Sequence, residues 1–152
     1  MDSLIDRFQL DDLMPMIRES LQNGRSVILP PRGTSMLPLL RQGKDSVRLS
    51  PLSGKLKKYD LPLYQRTGGQ YVLHRIVGVG DTYTCIGDNQ FELESGVSHD
   101  QMIAIVTCVF RGNRSIPVNG FRYQAYCRFW HYTRFIRKCY RGCKRRLRRL
   151  VK

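Results

Sequence analysis

The chain has 152 residues, of which 41% are hydrophobic and 25% are charged, and its formal net charge is +14. This composition fits one folded domain with a hydrophobic core and excludes an intrinsically disordered polymer. Residues 1–110 contain 12 Lys and Arg and 12 Asp and Glu, whereas residues 111–152 contain 14 cations and no acid. A charge-balanced body therefore carries a basic C-terminal segment.

The first predicted element is a helix over residues 10–22, "LDDLMPMIRESLQ". Its apolar side chains Leu10, Leu13, Met14, Ile17 and Leu21 recur at helical spacing. Residues 1–12 lack the apolar run of a signal peptide. The longest apolar stretch, 102–110, is far shorter than the roughly 20 residues that span a bilayer, so no transmembrane helix is expected.

Short strands are predicted for most of the following sequence. They are rich in apolar, β-branched and aromatic residues, and they cover 26–30, 46–50, 61–65, 71–79, 82–87 and 102–110. Turn signals such as "TGGQ", "GDNQ", "ESG" and "RGN" separate several of them. This part of the chain is therefore expected to be mostly β.

The last segment, 118–152, has the pattern of a basic amphipathic helix that Gly142 could interrupt. One side of the helical wheel is apolar and consists of Ala125, Phe129, Tyr132, Ile136, Tyr140, Cys143, Leu147 and Leu150. The other side carries Arg134, Arg137, Lys138, Arg141, Lys144, Arg145, Arg148 and Arg149. The chain has five cysteines without zinc-like clustering, which are expected to be free thiols in a reducing compartment.

A single serine stands out in the stretch "RGTSMLPLL", residues 32–40. Pro31 and Pro38 fix two backbone angles and predict a stiff loop around Ser35, which alone would be an ordinary turn serine. A nucleophilic serine needs a base, and the chain has only three histidines. Of these, His74 lies in the predicted strand "YVLHRIVGV", where a structural histidine is the alternative interpretation. Its neighbour Arg75 would point to the opposite face.

The stretch "CIGDNQFELE", residues 85–94, adds acidic residues after a strand. Gly-Asp-Asn is a turn signature, and a plain hairpin turn is one interpretation. In the functional interpretation, Asp88 projects from this turn toward a histidine.

Together these pieces resemble a known family. In chain order the sequence shows "GTSMLPLL", "LKKYDLPLYQR", "VLHRIVGV" and "CIGDNQ". These resemble the Ser-Met-x-Pro, Lys-Gly-Asp, base-bearing and Gly-Asp-Asn boxes of the type I signal peptidases, in the wider group that also holds the self-cleaving SOS repressors. The resemblance runs from about residue 30 to residue 109, and the order and spacing of the four boxes are more specific than any one of them.

The resemblance implies roles for individual residues. Most members of the group use a lysine base, but the endoplasmic-reticulum type carries His followed by Arg, as His74 and Arg75 do here. Ser35 is accordingly expected to be the nucleophile and His74 the general base.

The acid that orients the base is left open between two positions. The leading candidate is Asp88 in the Gly-Asp-Asn box. The other is a second acid shortly after that box, where Glu92 and Glu94 stand and Glu94 has the better spacing.

Two positions depart from the family pattern. Gly33 stands where many signal peptidases have a hydroxyl residue that helps to hold the oxyanion, and the hydroxyl here is the next residue, Thr34. The Ser35 amide can still donate, and the second donor is left open. Tyr59 replaces the Gly of the Lys-Gly-Asp box, so Asp60 is expected only as a structural residue. The N-terminal membrane anchor usual in signal peptidases is not expected either.

The resemblance implies a mainly β fold, a barrel-like catalytic core of the signal-peptidase and SOS-repressor kind with a helix at each end. The expected organisation is an N-terminal helix over 1–24, a peptidase domain over 25–112 and a basic, aromatic-rich tail over 113–152.

The expected function is that of a serine endopeptidase that cuts a leader or signal-like peptide after small residues through an acyl-enzyme. No metal or cofactor is implied. The alternatives are a catalytically idle relative and a nucleic-acid-binding protein that uses the basic tail. A self-cleaving repressor is disfavoured because there is no helix-turn-helix segment and no lysine base.

The tail, residues 121–152, is expected to meet an anionic membrane surface, since bulky aromatic residues alternate with its cations. Nucleic acid is the less favoured partner, and packing on the protein's own core is the structural alternative. The expected location is cytoplasmic, peripheral on the inner face of the membrane.

Overall fold

The computed structural model describes residues 10–150, without the side chains of residues 145 and 147–150. Within this range lie three α-helices, which are α1 (Leu10–Gln22), α2 (Phe121–Tyr132) and α3 (Arg134–Leu150). The strands in the same range are β1 (Val27–Leu29), β2 (Asp45–Ser50), β3 (Pro62–Gln65), β4 (Tyr71–Leu73), β5 (Arg75–Val79), β6 (Tyr83–Ile86), β7 (Glu94–Val97), β8 (Met102–Arg111) and β9 (Arg114–Pro117).

Helix α1 has the bounds that its apolar spacing predicts. Met14, Ile17 and Leu21 form its buried side and belong to the main hydrophobic core. The chain leaves the helix at Gly24, whose φ of 72° suits glycine. Residues 1–9 of the expected N-terminal helical region lie outside the described residues.

The larger sheet is antiparallel and centres on the long strand β8. Its order is β1-β2-β8-β3-β4, with β9 also paired to β8. Ala104 and Val106 of β8, Val47 of β2 and Leu63 of β3 form part of the same buried core as α1. Strand β9 lies beyond residue 112, so the sheet continues into the region assigned to the tail.

The predicted strand over 71–79 is wrong as a single element. It divides at His74 into β4, which pairs with β3, and β5, which pairs with β6 in a second sheet of order β5-β6-β7. The sequence does not predict strand β7, because its stretch "ESG" is typical of a turn. His74 thus lies where the backbone passes from one sheet to the other.

The expected mainly β, barrel-like architecture is only partly confirmed. The strands form two separate antiparallel sheets, and no closed barrel is present among residues 10–150. The helices contain about as many residues as the strands, because α2 and α3 extend the C-terminal region. The protein therefore has a mixed α and β fold.

The C-terminal helix does not break where the sequence suggested. Gly142 lies inside α3, and the interruption falls at Thr133 between α2 and α3. There the Thr133 hydroxyl donates to the carbonyl oxygen of Phe129 at 2.8 Å, and the Thr133 amide also donates to it at 3.0 Å. Thr133 has a φ of −81° and a ψ of 1°, which depart from helical geometry, and back-bonding of this kind by a threonine hydroxyl bends helices.

A buried ion pair joins α2 to the second sheet. Arg75 donates two hydrogen bonds of 2.8 Å to the carboxylate of Asp88, and both side chains are 2% exposed. A third nitrogen of Arg75 donates to the Tyr123 hydroxyl at 3.0 Å and to the Cys127 sulfur at 2.8 Å. Tyr123 and Cys127 are the buried residues of α2, so the ion pair selects which side of the helix packs on the body.

Breaking this pair should destabilise the fold. We expect Asp88→Asn to lower the free energy of unfolding by about 3–5 kcal/mol, because it leaves the Arg75 charge buried without a partner. Asp81→Asn makes the same chemical change at an exposed position and should have little effect. Chemical denaturation of the two variants measures the difference, and equal stability would contradict the structural role of the pair.

Candidate active site

Ser35 lies in a loop that is anchored on both sides. Met36, the next residue, is buried in the main core, and its carbonyl accepts a hydrogen bond from the Leu40 amide at 2.9 Å. On the other side, Gly33 has a φ of 84°, and its amide donates to the Gln42 side chain at 2.8 Å. The rigid serine loop predicted from the prolines thus has a packed and hydrogen-bonded basis.

The Gly-Asp-Asn turn supports the serine loop directly. The Asn89 amide donates to the Ser35 carbonyl oxygen at 2.8 Å, and the Asn89 side chain donates to the Thr34 carbonyl oxygen at 3.1 Å. A Cβ on Gly87 would lie 2.7 Å from the same Ser35 oxygen. Glycine is therefore needed at position 87 because the two loops approach so closely, not because of its backbone angle.

Asp88 faces away from the candidate base. Its carboxylate is held by Arg75, as described above, and it also accepts a hydrogen bond from the Tyr126 hydroxyl at 2.9 Å. Of the charges that act on His74, that of Asp88 is the weakest. Between the acids left open by the sequence, the geometry places Asp88 in a structural ion pair.

Glu94 is the acid that approaches His74. Its Oε2 lies 3.8 Å from His74 Nδ1. Tyr64 lies between them, with its hydroxyl 3.3 Å from Nδ1 and donating to Glu94 Oε2 at 2.8 Å. Glu92, the other acid after the box, is exposed.

The hydrogen bonds of the Tyr64 hydroxyl determine which nitrogen of the His74 imidazole carries the proton. Because the Tyr64 hydroxyl gives its proton to Glu94, its oxygen is free to accept one from His74 Nδ1. Burial and Glu94 raise the pKa of Tyr64, so the hydroxyl stays protonated. In the tautomer that follows, Nδ1 carries the proton and Nε2 carries the lone pair that a general base needs.

Arg66 keeps Glu94 charged. Its guanidinium donates to both carboxylate oxygens, at 2.8 and 2.6 Å. These hydrogen bonds lower the pKa of Glu94 although partial burial opposes the shift. His74 is therefore backed by a tyrosine and a carboxylate anion.

The resting imidazole is neutral over a wide pH range. Burial, followed by the positive charge of Arg66, lowers the pKa of His74 to about 4, against a smaller opposing effect of Glu94. The residue is only 3% exposed. At neutral pH the imidazole is consequently uncharged.

Ser35 and His74 line the same open cleft of about 480 Å³. The Gly33–Thr34 segment, Tyr71 and Asn89 also contribute to its walls. The structure therefore brings together three of the four predicted site residues, Ser35, His74 and Glu94, around or directly behind one cleft.

Sequence reasoning missed Tyr64 and Arg66. Both are in the quoted box "LKKYDLPLYQR", two positions apart at the end of β3, and such spacing puts side chains on one face of a strand. That spacing was the available signal, but only the structure shows that this face meets His74.

The chain matches no protein-family model, no curated protein and no solved structure. The assignment below consequently depends on the four sequence boxes and on the geometry of the cleft.

The contact between the two loops gives a direct test. Gly87→Ala should destabilise the protein by about 1–3 kcal/mol, because a Cβ would press on the Ser35 carbonyl. Gly68→Ala is the matched control, since a Cβ there meets nothing within 4 Å. Thermal unfolding compares the two variants, and a Gly87→Ala protein as stable as Gly68→Ala would refute the tight contact.

Proposed function

We propose that this chain is a serine endopeptidase of the Ser-His type that resembles signal peptidase I. The observation that carries the proposal is the cleft shared by Ser35 and a neutral His74, which Tyr64 and Glu94 back. A structural histidine alone would explain the burial of His74, but not its opening onto a cleft beside a rigidly held serine.

In the proposed acylation step, Ser35 Oγ attacks the carbonyl carbon of the scissile peptide bond. His74 Nε2 takes the hydroxyl proton as the new C–O bond forms. Burial makes His74 a weak base at rest, and the nearby anion of Glu94 stabilises the imidazolium as it appears. When the tetrahedral intermediate collapses, the C–N bond breaks, and Nε2 returns the proton to the departing amine.

Deacylation uses the same base on a water molecule. His74 takes a proton from the water, whose oxygen attacks the acyl carbon. The C–O bond to Ser35 breaks, and the serine regains its proton from the imidazolium. The cycle consumes one water and releases an acid and an amine, so the proposal needs no metal or cofactor.

The oxyanion requires donors near the serine. The Ser35 amide is the proposed first donor, and the neighbouring Thr34 hydroxyl is the available substitute for the family hydroxyl that Gly33 replaces. Loss of one such donor typically costs about 10²–10³ in rate. Thr34 is exposed at the cleft, where a bound peptide can meet it.

The proposed substrate is a leader or signal-like segment with small residues at the cut, as the family resemblance implies. Gly33 has no side chain at the wall of the cleft, which favours close approach of an extended peptide. We also propose that the two antiparallel sheets correspond to the catalytic core of the signal-peptidase group, with the sheets separate instead of closed into a barrel.

The nucleophile can be tested by one substitution. Ser35→Ala should reduce hydrolysis of a pool of synthetic peptides with small residues after an apolar run by about 10³-fold or more, while the fold survives. Mass spectrometry of the products measures the rate. Ser53→Ala removes an exposed hydroxyl elsewhere and should change nothing. Cleavage by Ser35→Ala at the wild-type rate would contradict the assignment, and no cleavage by the wild type would favour an idle relative.

The pH dependence tests the base. Because the imidazole must be neutral to accept a proton, kcat/KM should fall as the pH drops through the pKa of His74, at about 4, and not near the ordinary value of about 6.5. His74→Ala should abolish activity. His99→Gln, which changes an exposed histidine, should keep the same profile. If activity instead fell near pH 6.5 while the protein stayed folded, the group that controls activity would not be the buried His74 with its lowered pKa.

A further inference from the structure

The two C-terminal helices expose a large apolar surface. We call it the outer face; its members are 65–74% exposed and are Phe129, Tyr132, Phe135, Ile136 and Tyr140. Most of these residues belong to the apolar side that the helical wheel identifies. These side chains are exposed, so the apolar side of the tail does not pack on the protein's own core as the alternative interpretation of the sequence proposes.

The reason is that polar contacts hold the opposite side of α3 on the body. Arg137 donates to the carbonyl oxygen of Asp88 at 3.2 Å and lies over the Trp130 ring, 3.8 Å from its centre. One turn later, Arg141 donates to the carbonyl oxygen of Asn89 at 3.2 Å and also bonds the Asn89 side chain. Arg137 and Arg141 therefore turn toward the protein, Lys138 and Lys144 on the flanks of α3 stay exposed, and the apolar side faces outward.

This arrangement is the reverse of an ordinary surface helix, which buries its apolar side and exposes its charges. Exposed apolar patches of this kind mark interaction sites. The contacts of Trp130 add to the fixation, because its indole donates to the carbonyl oxygen of Asp88 at 2.6 Å. Hydrogen bonds on the opposite side of α2 and α3 therefore hold the two helices to the body and leave the outer face exposed.

The charges beside the outer face identify its partner. Lys138, Lys144 and Arg146 are exposed on α3, and no residue after Asp100 is acidic. A second copy would bring two such cationic surfaces together, which charge repulsion opposes. Nucleic acid would satisfy the cations but would offer no apolar phase to Phe135 and Ile136. An anionic bilayer supplies both an apolar phase and negative headgroups.

We propose that the outer face docks on the surface of an anionic lipid bilayer. The aromatic and aliphatic side chains enter the boundary between headgroups and acyl chains, and the flanking cations meet the lipid phosphates. This inference does not depend on the peptidase activity. The protein would then bind peripherally to the anionic inner leaflet of a cell membrane.

The docking helix also contacts the turn that supports the serine loop. Asn89 bonds Arg141 of α3 on one side and the Thr34–Ser35 segment on the other. One residue thus separates the docking helix from the serine loop.

Co-sedimentation of the full chain with vesicles tests the proposal. The protein should pellet with phosphatidylcholine vesicles that contain phosphatidylserine, and only weakly with phosphatidylcholine alone. Binding should fall strongly at about 1 M salt, where the Debye length is about 3 Å. Equal binding to both vesicle types, or binding that salt does not weaken, would overturn the role of the cations.

Exposed positions allow substitutions that leave the fold intact. Phe135→Ser combined with Ile136→Ser should weaken vesicle binding by about tenfold or more, whereas Met16→Ser, at an equally exposed apolar position on α1, should not.

Removing two charges provides the second comparison. Lys138→Gln with Lys144→Gln should weaken binding by a similar factor, and Lys44→Gln with Lys55→Gln should have much less effect. Circular dichroism and thermal unfolding of all variants show that the fold is unchanged. Vesicle binding unaffected by the outer-face variants would refute the surface. Tight binding to duplex DNA or RNA without vesicle binding, or a concentration-dependent dimer that these variants abolish, would also overturn the proposal.

Discussion

Arg75 and Asp88 form a buried ion pair between the second sheet and the turn that follows its strand β6. Because an unpaired charge in this environment is strongly unfavourable, each partner fixes the position of the other. Arg75 belongs to the second sheet and also binds Tyr123 and Cys127, so helix α2 is held in place. Asp88 belongs to the turn whose Asn89 supports the carbonyl of Ser35. One interaction thereby links a sheet, a helix and the serine loop.

His74 lies beside Arg75 in the chain but points toward the candidate site. The residue directly precedes Arg75, at the point where the chain leaves the large sheet for the small one. Successive side chains of an extended chain point to opposite sides, so Arg75 turns toward α2 while His74 turns toward Tyr64. The same short segment thus supplies the structural cation and the proposed base. The Ser35 loop lines the same cleft as His74, and the Asp88–Asn89 turn supports that loop.

Much of this could be predicted from the sequence, because local patterns reflect local physics. Apolar spacing predicts helix α1, and β-branched and aromatic residues predict the main strands. The ordered boxes point to Ser35 and His74, which line one cleft. What local patterns do not contain is the choice of partners across the fold. The sequence could not show that Arg75 would capture Asp88 and leave Glu94 beside His74. It also could not show that Arg137 and Arg141 would face the body and turn the apolar side of α3 outward, since amphipathicity alone favours the opposite orientation.

The proposed role of Ser35 as a nucleophile with a neutral His74 as its base can be tested without knowledge of the substrate. A short peptide boronic acid that ends in a small residue presents a boron atom where the scissile carbon would lie. If Ser35 Oγ donates an electron pair to boron and its proton passes to His74, the ¹¹B resonance should move from the trigonal to the tetrahedral range, and Ser35→Ala should abolish the shift. A boron atom that stays trigonal in the presence of the folded protein, or becomes tetrahedral equally well with Ser35→Ala, would show that Ser35 is not the nucleophile.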